Sequence, residues 1–514
     1  MTERTSVALT ADVDDALRNH LLRADGQEDL CLATYRPSTG ARRRTALLQQ
    51  VDLPEPGDRD VHGNATITGD YVWRVATRAA EQGEGLVIPH SHPRGRGWQQ
   101  MSLPDYDAER AYANLARDIT GLPLVGMTLA GRDGAWSARH WDQGVADDVA
   151  PSRCENVRVV GDQLRVCWDD TRVAPPRSGP ANIRSVTSWG ARRHADLARR
   201  SVLVVGLGSV GLDVAVRLAA TGLTRIGLMD FDTVEAHNLD RLIGVTAVDA
   251  RLRRSKIEVA RRLVADNATS PTTTVDAWDI SICEPDGLAA ALDFDQIFCC
   301  VDRPWPRAVL NLVAHSDYIP VIDGGIAIDT FDDGTGMRNA TWRSHVLRPG
   351  RPCMSCNGQL DLGAVAADRS GDLDDPAYID GLRGPRAGTD AQNTSANVSV
   401  LSVSAAASLL AQYVSLNVAP GGLGEPGPLQ YVLSTHTLES LDARSSPGCP
   451  VEAQRGRGDD GLRLTGPHRA AQDERRRHDS RHLDRGLRLS RVFDDARYQL
   501  HVGRIRRAQR RLDR

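Results

Sequence analysis

VLVVGLGSVG, residues 202–211, is a run of β-branched and apolar residues that breaks into Gly206, Gly208 and Gly211. A strand that passes through such a glycine turn into a helix presents the helix's free amides and the positive end of its dipole to a phosphate. The glycine spacing alone is a weak signal. Asp230 follows Gly211 by 19 residues, at the end of the next apolar run RIGLMD, and a dinucleotide dehydrogenase would share that acid. Further on, the apolar segments DQIFCCVD and IPVIDGG alternate with helical patterns after Gly211, through Lys256–Val264 and after Pro306. The alternation predicts βαβ units and a doubly wound α/β domain with a mostly parallel sheet.

The text after Asp230 separates the readings. DFDTVEAHNLDRL (230–242), RRSKIEVA (253–260) and VDRPWPR (301–307) together resemble the ThiF/MoeB and ubiquitin-activating-enzyme superfamily of adenylyltransferases. The resemblance covers roughly 183–440. It implies that Gly206, Gly208, Gly211 and Asp230 bind ATP, with Asp230 on the ribose, and that Asn238, Arg241 and Lys256 hold the triphosphate. It also implies that Asp302 holds Mg²⁺ and that an arginine ahead of the first strand, here Arg184, completes the site, often from a partner subunit. Arg307 matches by position with a structural role. Fixed cations and Mg²⁺ suit a reaction in which a carboxylate attacks an α-phosphorus and pyrophosphate leaves. Lys256 is the sole lysine of the chain, and its fall at the expected position argues against an ordinary surface residue.

The amino-terminal part, residues 1–170, reads as a compact α+β domain: a helical pattern at Val13, Leu17 and Leu21, strand-like runs at LCLATY and TALLQQV, a helix near Val72–Ala80 and the strand LVIP. It runs into HSHPRGRGWQQMSLPD, residues 90–105. On a strand His90 and His92 project from one face, and Asp105 lies one helical turn beyond Ser102. Two imidazoles and a carboxylate suit a catalytic Zn²⁺ with an open position. The pattern resembles the JAMM (Mov34/MPN-type) metallopeptidases, although nine residues rather than the usual seven separate His92 from Ser102. The resemblance makes Ser102 the oxyanion support and requires a glutamate base on an early strand. Glu28 is the first candidate and Glu55 the second.

PCMSC (352–356) carries Cys353 and Cys356, and GCPVE (448–452) carries Cys449 and Glu452. In the ThiF superfamily such a CxxC commonly pairs with a second one around structural Zn²⁺. A zinc site with a non-cysteine fourth ligand, a relict, and a thioester cysteine at 353 or 356 all remain open. Cys299 and Cys300 sit on an apolar strand and read as core.

The chain has 514 residues, 41% hydrophobic and 25% charged, with a formal charge of −4. That is ordinary for a globular protein and does not suggest nucleic acid as a partner. Nine cysteines, with no secretory pattern at the N-terminus, suggest a reducing compartment, so the cytoplasm is expected. The uncharged stretch 391–424 reads as a buried helix rather than a membrane span, being rich in Ser and Asn. The domain expectation is 1–170, a linker at 171–183 that includes VAPPRSGPAN, an adenylyltransferase domain at 184–445, and a tail at 446–514. Residues 451–514 carry 18 Arg against 10 acids and read as a solvated or disordered tail. An out-of-frame reading of GC-rich DNA would yield similar text.

The two resemblances together imply one chain that activates, and processes or deconjugates, the Gly-terminated tail of a small ubiquitin-like or sulfur-carrier protein. A conjugating enzyme or sulfur donor would act downstream, and a homodimer is expected. Sulfur-transfer activation in cofactor or cysteine synthesis is the alternative, and a NAD(P)-dependent oxidoreductase with an accessory zinc domain is the competing class.

Overall fold

The computed structural model describes residues 4–482, except 63, 144–148, 332–334 and 375–396, together with Arg497, Tyr498, Leu500 and Gly503. The chain divides into two units: Met1–Ala174 with His315–Tyr318 and Gln454–Leu462, and Pro175–Ala314, Ile319–Ala453 and Arg463–Arg514.

The first unit runs β1 (Arg4–Thr10), α1 (Ala11–Leu21), β2 (Leu32–Thr39), β3 (Arg43–Asp52), β4 (Arg59–His62), β5 (Asn64–Ile67), α2 (Gly69–Glu81), β6 (Gly85–His92), α3 (Leu103–Thr120), β7 (Leu124–Ala130), β8 (Trp136–Gln143), β9 (Val149–Arg153), β10 (Asn156–Val160) and β11 (Leu164–Trp168). Nine strands form one mixed sheet in the order β11-β10-β1-β3-β2-β6-β7-β8-β9. The period of two splits its side chains between two cores. Ala33 and Val87 face a cluster with Val13, Leu17 and Leu21 of α1. Leu32, Leu86 and Ile88 face one with Val72, Val75 and Ala76 of α2 and Ala113 and Ala116 of α3. His90 and His92 share the parity of Leu86 and Ile88, so they project toward the α2/α3 layer.

The second unit runs α4 (Ile183–Trp189), α5 (Ala191–Ala198), β12 (Ser201–Val205), α6 (Ser209–Ala220), β13 (Arg225–Met229), α7 (Ala247–Arg251), α8 (Lys256–Asn267), β14 (Thr274–Trp278), α9 (Pro285–Ala291), β15 (Gln296–Cys299), α10 (Pro304–Ser316), β16 (Val321–Thr330), β17 (Met337–Leu347), α11 (Leu362–Ser370), the helix Ser399–Val418, β18 (Leu429–Val432), β19 (Thr437–Ser440) and the helix Arg469–His482. Its sheet order is β14-β13-β12-β15-β16-β17-β18-β19. The first five strands are parallel, and β16 onward pair antiparallel. Strand β12 is the switch point, with β13 on one side and β15 on the other, so a crevice opens at the carboxyl ends of these strands. Ser399–Val418 is long and apolar enough to cross a membrane, but it buries Leu401, Ala405, Leu409 and Leu416 in a helix that contacts α6, β16 and β17.

One expectation needs correcting. Residues 446–482 are not a free tail. Cys449 and Val451 are buried with Cys353, and Arg455 pairs with Asp12 at 2.6 Å in the first unit. Arg475 pairs with Glu284 at 2.6 Å in the second. Arg455 and Arg475 have acidic partners far away in sequence, which a local charge count cannot register. The tail beyond residue 482, apart from the four residues named above, lies outside the described residues.

Candidate functional sites

In the second unit, Gly206 takes φ +87°, and a Cβ there would come within 2.6 Å of the Cys300 carbonyl oxygen. At Gly211 a Cβ would overlap the Gly206 carbonyl oxygen. These two glycines let β12 turn sharply into α6 and keep the turn close to β15. A cavity of about 620 Å³ opens over the turn, and its walls include Gly206, Gly208, Asp230, Asn238, Arg241, Lys256, Asp302 and Arg307. Gly211 itself packs behind the wall.

Asp230 is buried and accepts the Leu207 amide at 2.6 Å and the Asp232 amide at 2.8 Å. Burial pushes its carboxyl up to about 6, against the pull of Lys256. Lys256 donates to Asp232 at 2.7 Å. Burial alone would lower its pKa, but Asp230 and Asp232, with Asp302 adding to them, hold the ammonium above its ordinary value. Asn238 accepts the Glu235 amide at 2.9 Å. Arg241 donates to the His237 carbonyl, and Arg307 donates to the carbonyls of Val301 and Gly324 at 3.2 and 3.1 Å.

Arg184 is not brought to this cavity. It lies exposed on α4, a seven-residue helix with no buried residue. Cys299 is core, as read, but Cys300 lines the cavity. Arg303, Arg343 and His468 also line it. Arg303 abuts Asp302 and could have been singled out, whereas Arg343 arrives on the unforeseen hairpin strand β17 and His468 from the supposed tail.

Cys353, Cys356, Cys449 and Glu452 offer three thiols and a carboxylate oxygen, all within 4.8 Å of one another. Cys353 and Cys449 approach to 3.5 Å without a disulfide. Three thiolates and a carboxylate fit the donor set of a closed tetrahedral zinc site. Burial pushes the Cys353 thiol up to about 12. Burial acts the same way on Cys356, but hydrogen bonds from Ser446, Cys449 and Cys353 together hold that thiol below its usual value.

In the first unit, His90, His92 and Asp105 bring their ligand atoms within 4.8 Å of one another. His92 Nε2 lies 3.3 Å from Asp105 Oδ2 and from His90 Nε2. Ser102 caps α3, its Oγ accepting the Asp105 amide at 3.3 Å while Asp105 Oδ2 accepts the Ser102 amide at 2.8 Å. The capping box therefore aims Asp105 at the strand end. Burial works against ionisation of Asp105, but hydrogen bonds from both histidines hold it far below the usual carboxylate range. Two imidazoles and a carboxylate on one side fit a zinc ion with room for a further ligand. Glu28 is half-buried beside this group, and burial raises its pKa against the pull of His92. Glu55 is exposed, its amide bonded to Asp58 at 2.7 Å, and nothing connects it to the histidines.

The fold and cavity of the second unit define a doubly wound α/β domain with a phosphate-type glycine turn and a cluster of cations. The family model described as the ThiF family matches residues 181–451. The chain belongs to the ThiF family. It is similar to the molybdopterin-synthase adenylyltransferase of Haemophilus influenzae, 31% identical over 128 residues, covering 25% of this chain and 51% of that one. It is also similar to the adenylyltransferase and sulfurtransferase UBA4 of Kluyveromyces lactis, 28% identical over 144 residues, covering 27% and 32%. The chain thus spans about a third to a half of the length of these relatives. Among solved structures, E. coli MccB with MccA matches at 17% identity and a TM-score of 0.41, covering 54% of this chain and 75% of that one.

Proposed function

We propose that the second unit adenylates the C-terminal glycine of a small ubiquitin-like or sulfur-carrier protein with ATP. The observation that carries the reading is the chain's sole lysine, Lys256, set in the cavity among Asp230, Asp232 and Asp302 above the glycine turn. The α6 N-terminus, Arg241 and Lys256 hold the phosphates, and Asp230 accepts from the ribose. Arg241 and Lys256 offset the negative charge as the glycine carboxylate forms its bond to the α-phosphorus and the bond to pyrophosphate breaks. Asp302, a hard oxygen donor on the cavity wall, would hold Mg²⁺, which supplies charge neutralisation when bound. Arg184 would serve only from a partner subunit, so a homodimer belongs to this reading.

The first unit is proposed as a JAMM-type peptidase acting on the same tail. His90, His92 and Asp105 would hold Zn²⁺, which when bound polarises the scissile carbonyl and activates water. Glu28, its acidity weakened by burial, takes a proton from the attacking water and returns it to the leaving amine. Ser102 Oγ stands beside Asp105 to support the developing oxyanion. A peptidase on the same chain tilts the reading toward conjugation, because it can release conjugates as well as trim the tail. The three cysteines and Glu452 would hold a structural Zn²⁺.

ATP–pyrophosphate exchange that depends on an added Gly-terminated β-grasp protein tests the activator. Retention of NAD(P) in place of ATP–Mg²⁺ would turn the assignment to an oxidoreductase. Hydrolysis of a fusion to the same partner, lost in His92→Ala, tests the peptidase.

A further inference from the structure

The cavity has a wall that the strands and the glycine turn do not supply. In a doubly wound sheet the phosphates sit at the first turn and the ribose at the acid ending the second strand, so the base lies over the end of the strand beyond. Here that place is past β14, where Ile280, Ser281 and Ile282 line the cavity beside Phe231. His468 stands there, 8% exposed and lining the same cavity. Its ring meets Phe231 edge-on at 5.1 Å and Trp305 at 5.0 Å, and Nδ1 lies 2.8 Å from Ser281 Oγ.

The segment carrying His468 is tied down on both sides. Trp305 Nε1 donates to the Leu464 carbonyl at 2.6 Å, and the Gly466 amide donates to the Cys283 carbonyl at 2.8 Å. Beyond it, Glu474 accepts from Thr233 at 2.8 Å, and Arg475 grips Glu284 with both terminal nitrogens at 2.7 and 2.6 Å. These anchors lie on the β13–α7 loop, before α9 and at the head of α10. The C-terminal segment therefore bridges three elements that border the base end. Burial keeps the His468 imidazole below its ordinary pKa, so it is a neutral ring at physiological pH.

We propose that the C-terminal segment 464–482 is part of the nucleotide site, and that His468 forms the aromatic wall against which the purine base of the nucleotide packs. The proposal rests on the nucleotide reading of the cavity given above. It assigns to the Arg-rich tail a binding role that its composition hides.

The test is equilibrium dialysis of the full chain with [α-³²P]ATP and Mg²⁺, with tripolyphosphate as a competitor that occupies the phosphate end but has no base. Stacking on one aromatic ring typically changes affinity about tenfold or more. His468→Ala should weaken ATP about tenfold and leave tripolyphosphate within about twofold, and His468→Phe, which keeps a ring, should restore most of the ATP affinity. Unchanged ATP affinity in His468→Ala, with ATP bound by the wild type, overturns this proposal alone. A parallel loss of ATP and tripolyphosphate, meaning a collapsed cavity, also overturns it. A wild type that retains neither anion overturns the nucleotide reading and this proposal with it.

Discussion

Replacing Lys256 with methionine keeps the stem packed in the cavity and removes one charge. Nζ lies 2.7 Å from Asp232 and close enough to Asp230 and Asp302 for both to shift its pKa. Without Lys256, three carboxylates face the triphosphate with Arg241 as the remaining cation of the proposed pair. One lost charge contact at about 4 Å, with an effective dielectric near 20, amounts to about 4 kcal/mol. Water reaching the open cavity reduces this to about 3 kcal/mol, which is a weakening of ATP binding of about 100-fold. Asp230 would rise further above about 6, because Lys256 is the strongest of the influences pulling it down, and more of it would be protonated at pH 7. Titration calorimetry of wild type, Lys256→Met and Lys256→Arg with ATP–Mg²⁺ reads the effect directly. Arginine keeps the charge and should recover part of the loss. Binding of ATP by Lys256→Met within about threefold of wild type would refute the placement of the triphosphate beside this lysine.

Other outcomes follow from the same geometry. ATP should protect Lys256 from acetylation by an amine-reactive reagent, read by peptide mass, and an isopeptide recovered on Lys256 would contradict its burial against nucleotide. Metal analysis should find two Zn²⁺ per chain, with His92→Ala and Cys449→Ser each removing one independently; loss of both in either variant would contradict two separate sites. Glu109 accepts from Trp141 at 2.7 Å and from Arg139 at 2.8 Å, all three side chains buried, so Glu109→Ala leaves a buried guanidinium without its counter-charge, with Thr128 as its remaining hydrogen-bond partner. It should cost about 3–5 kcal/mol in denaturant unfolding and displace Asp105, one helical turn earlier on α3, weakening zinc; a loss under about 1 kcal/mol would contradict this. Burial holds His140 and His345 down at about 4 from an ordinary 6.5. A histidine with a depressed folded-state pKa stabilises above its unfolded value and loses that contribution as pH falls, so each should remove up to about 3 kcal/mol between about pH 6.5 and 4. His345→Gln should flatten that slope in unfolding titrations, and an unchanged slope would refute it.

The strands and helices that carry the sites could be read locally. β12 is a valine-rich apolar run, β6 runs straight into His90 and His92, and Ser102 with Asp105 spells a capping box. What escaped was non-local. IPVIDGG reads as a buried strand, but its extension into the hairpin of β16 and β17 depends on pairing with residues 337–347, whose polar text carries no strand signal alone. Arg343 came with that hairpin. His468 and Arg475 lie in text whose charge count suggests solvent, and only partners such as Glu284, 191 residues away, make it structured. The ranking of Glu28 ahead of Glu55 rests on its place just before LCLATY, and in the fold Glu28 lies near enough to His92 and His90 for them to act on its carboxyl, whereas Glu55 is exposed.

The central claim is adenylation at the cavity over the glycine turn. The most direct measurement incubates the protein with [α-³²P]ATP and Gly-terminated small proteins encoded near it, comparing wild type with Lys256→Ala and Asp302→Ala. The account predicts a labelled acyl-adenylate on one such protein, formed by wild type and abolished by both substitutions. A labelled product that survives both substitutions, or ATP that binds without any transfer to a glycine carboxylate, would contradict it.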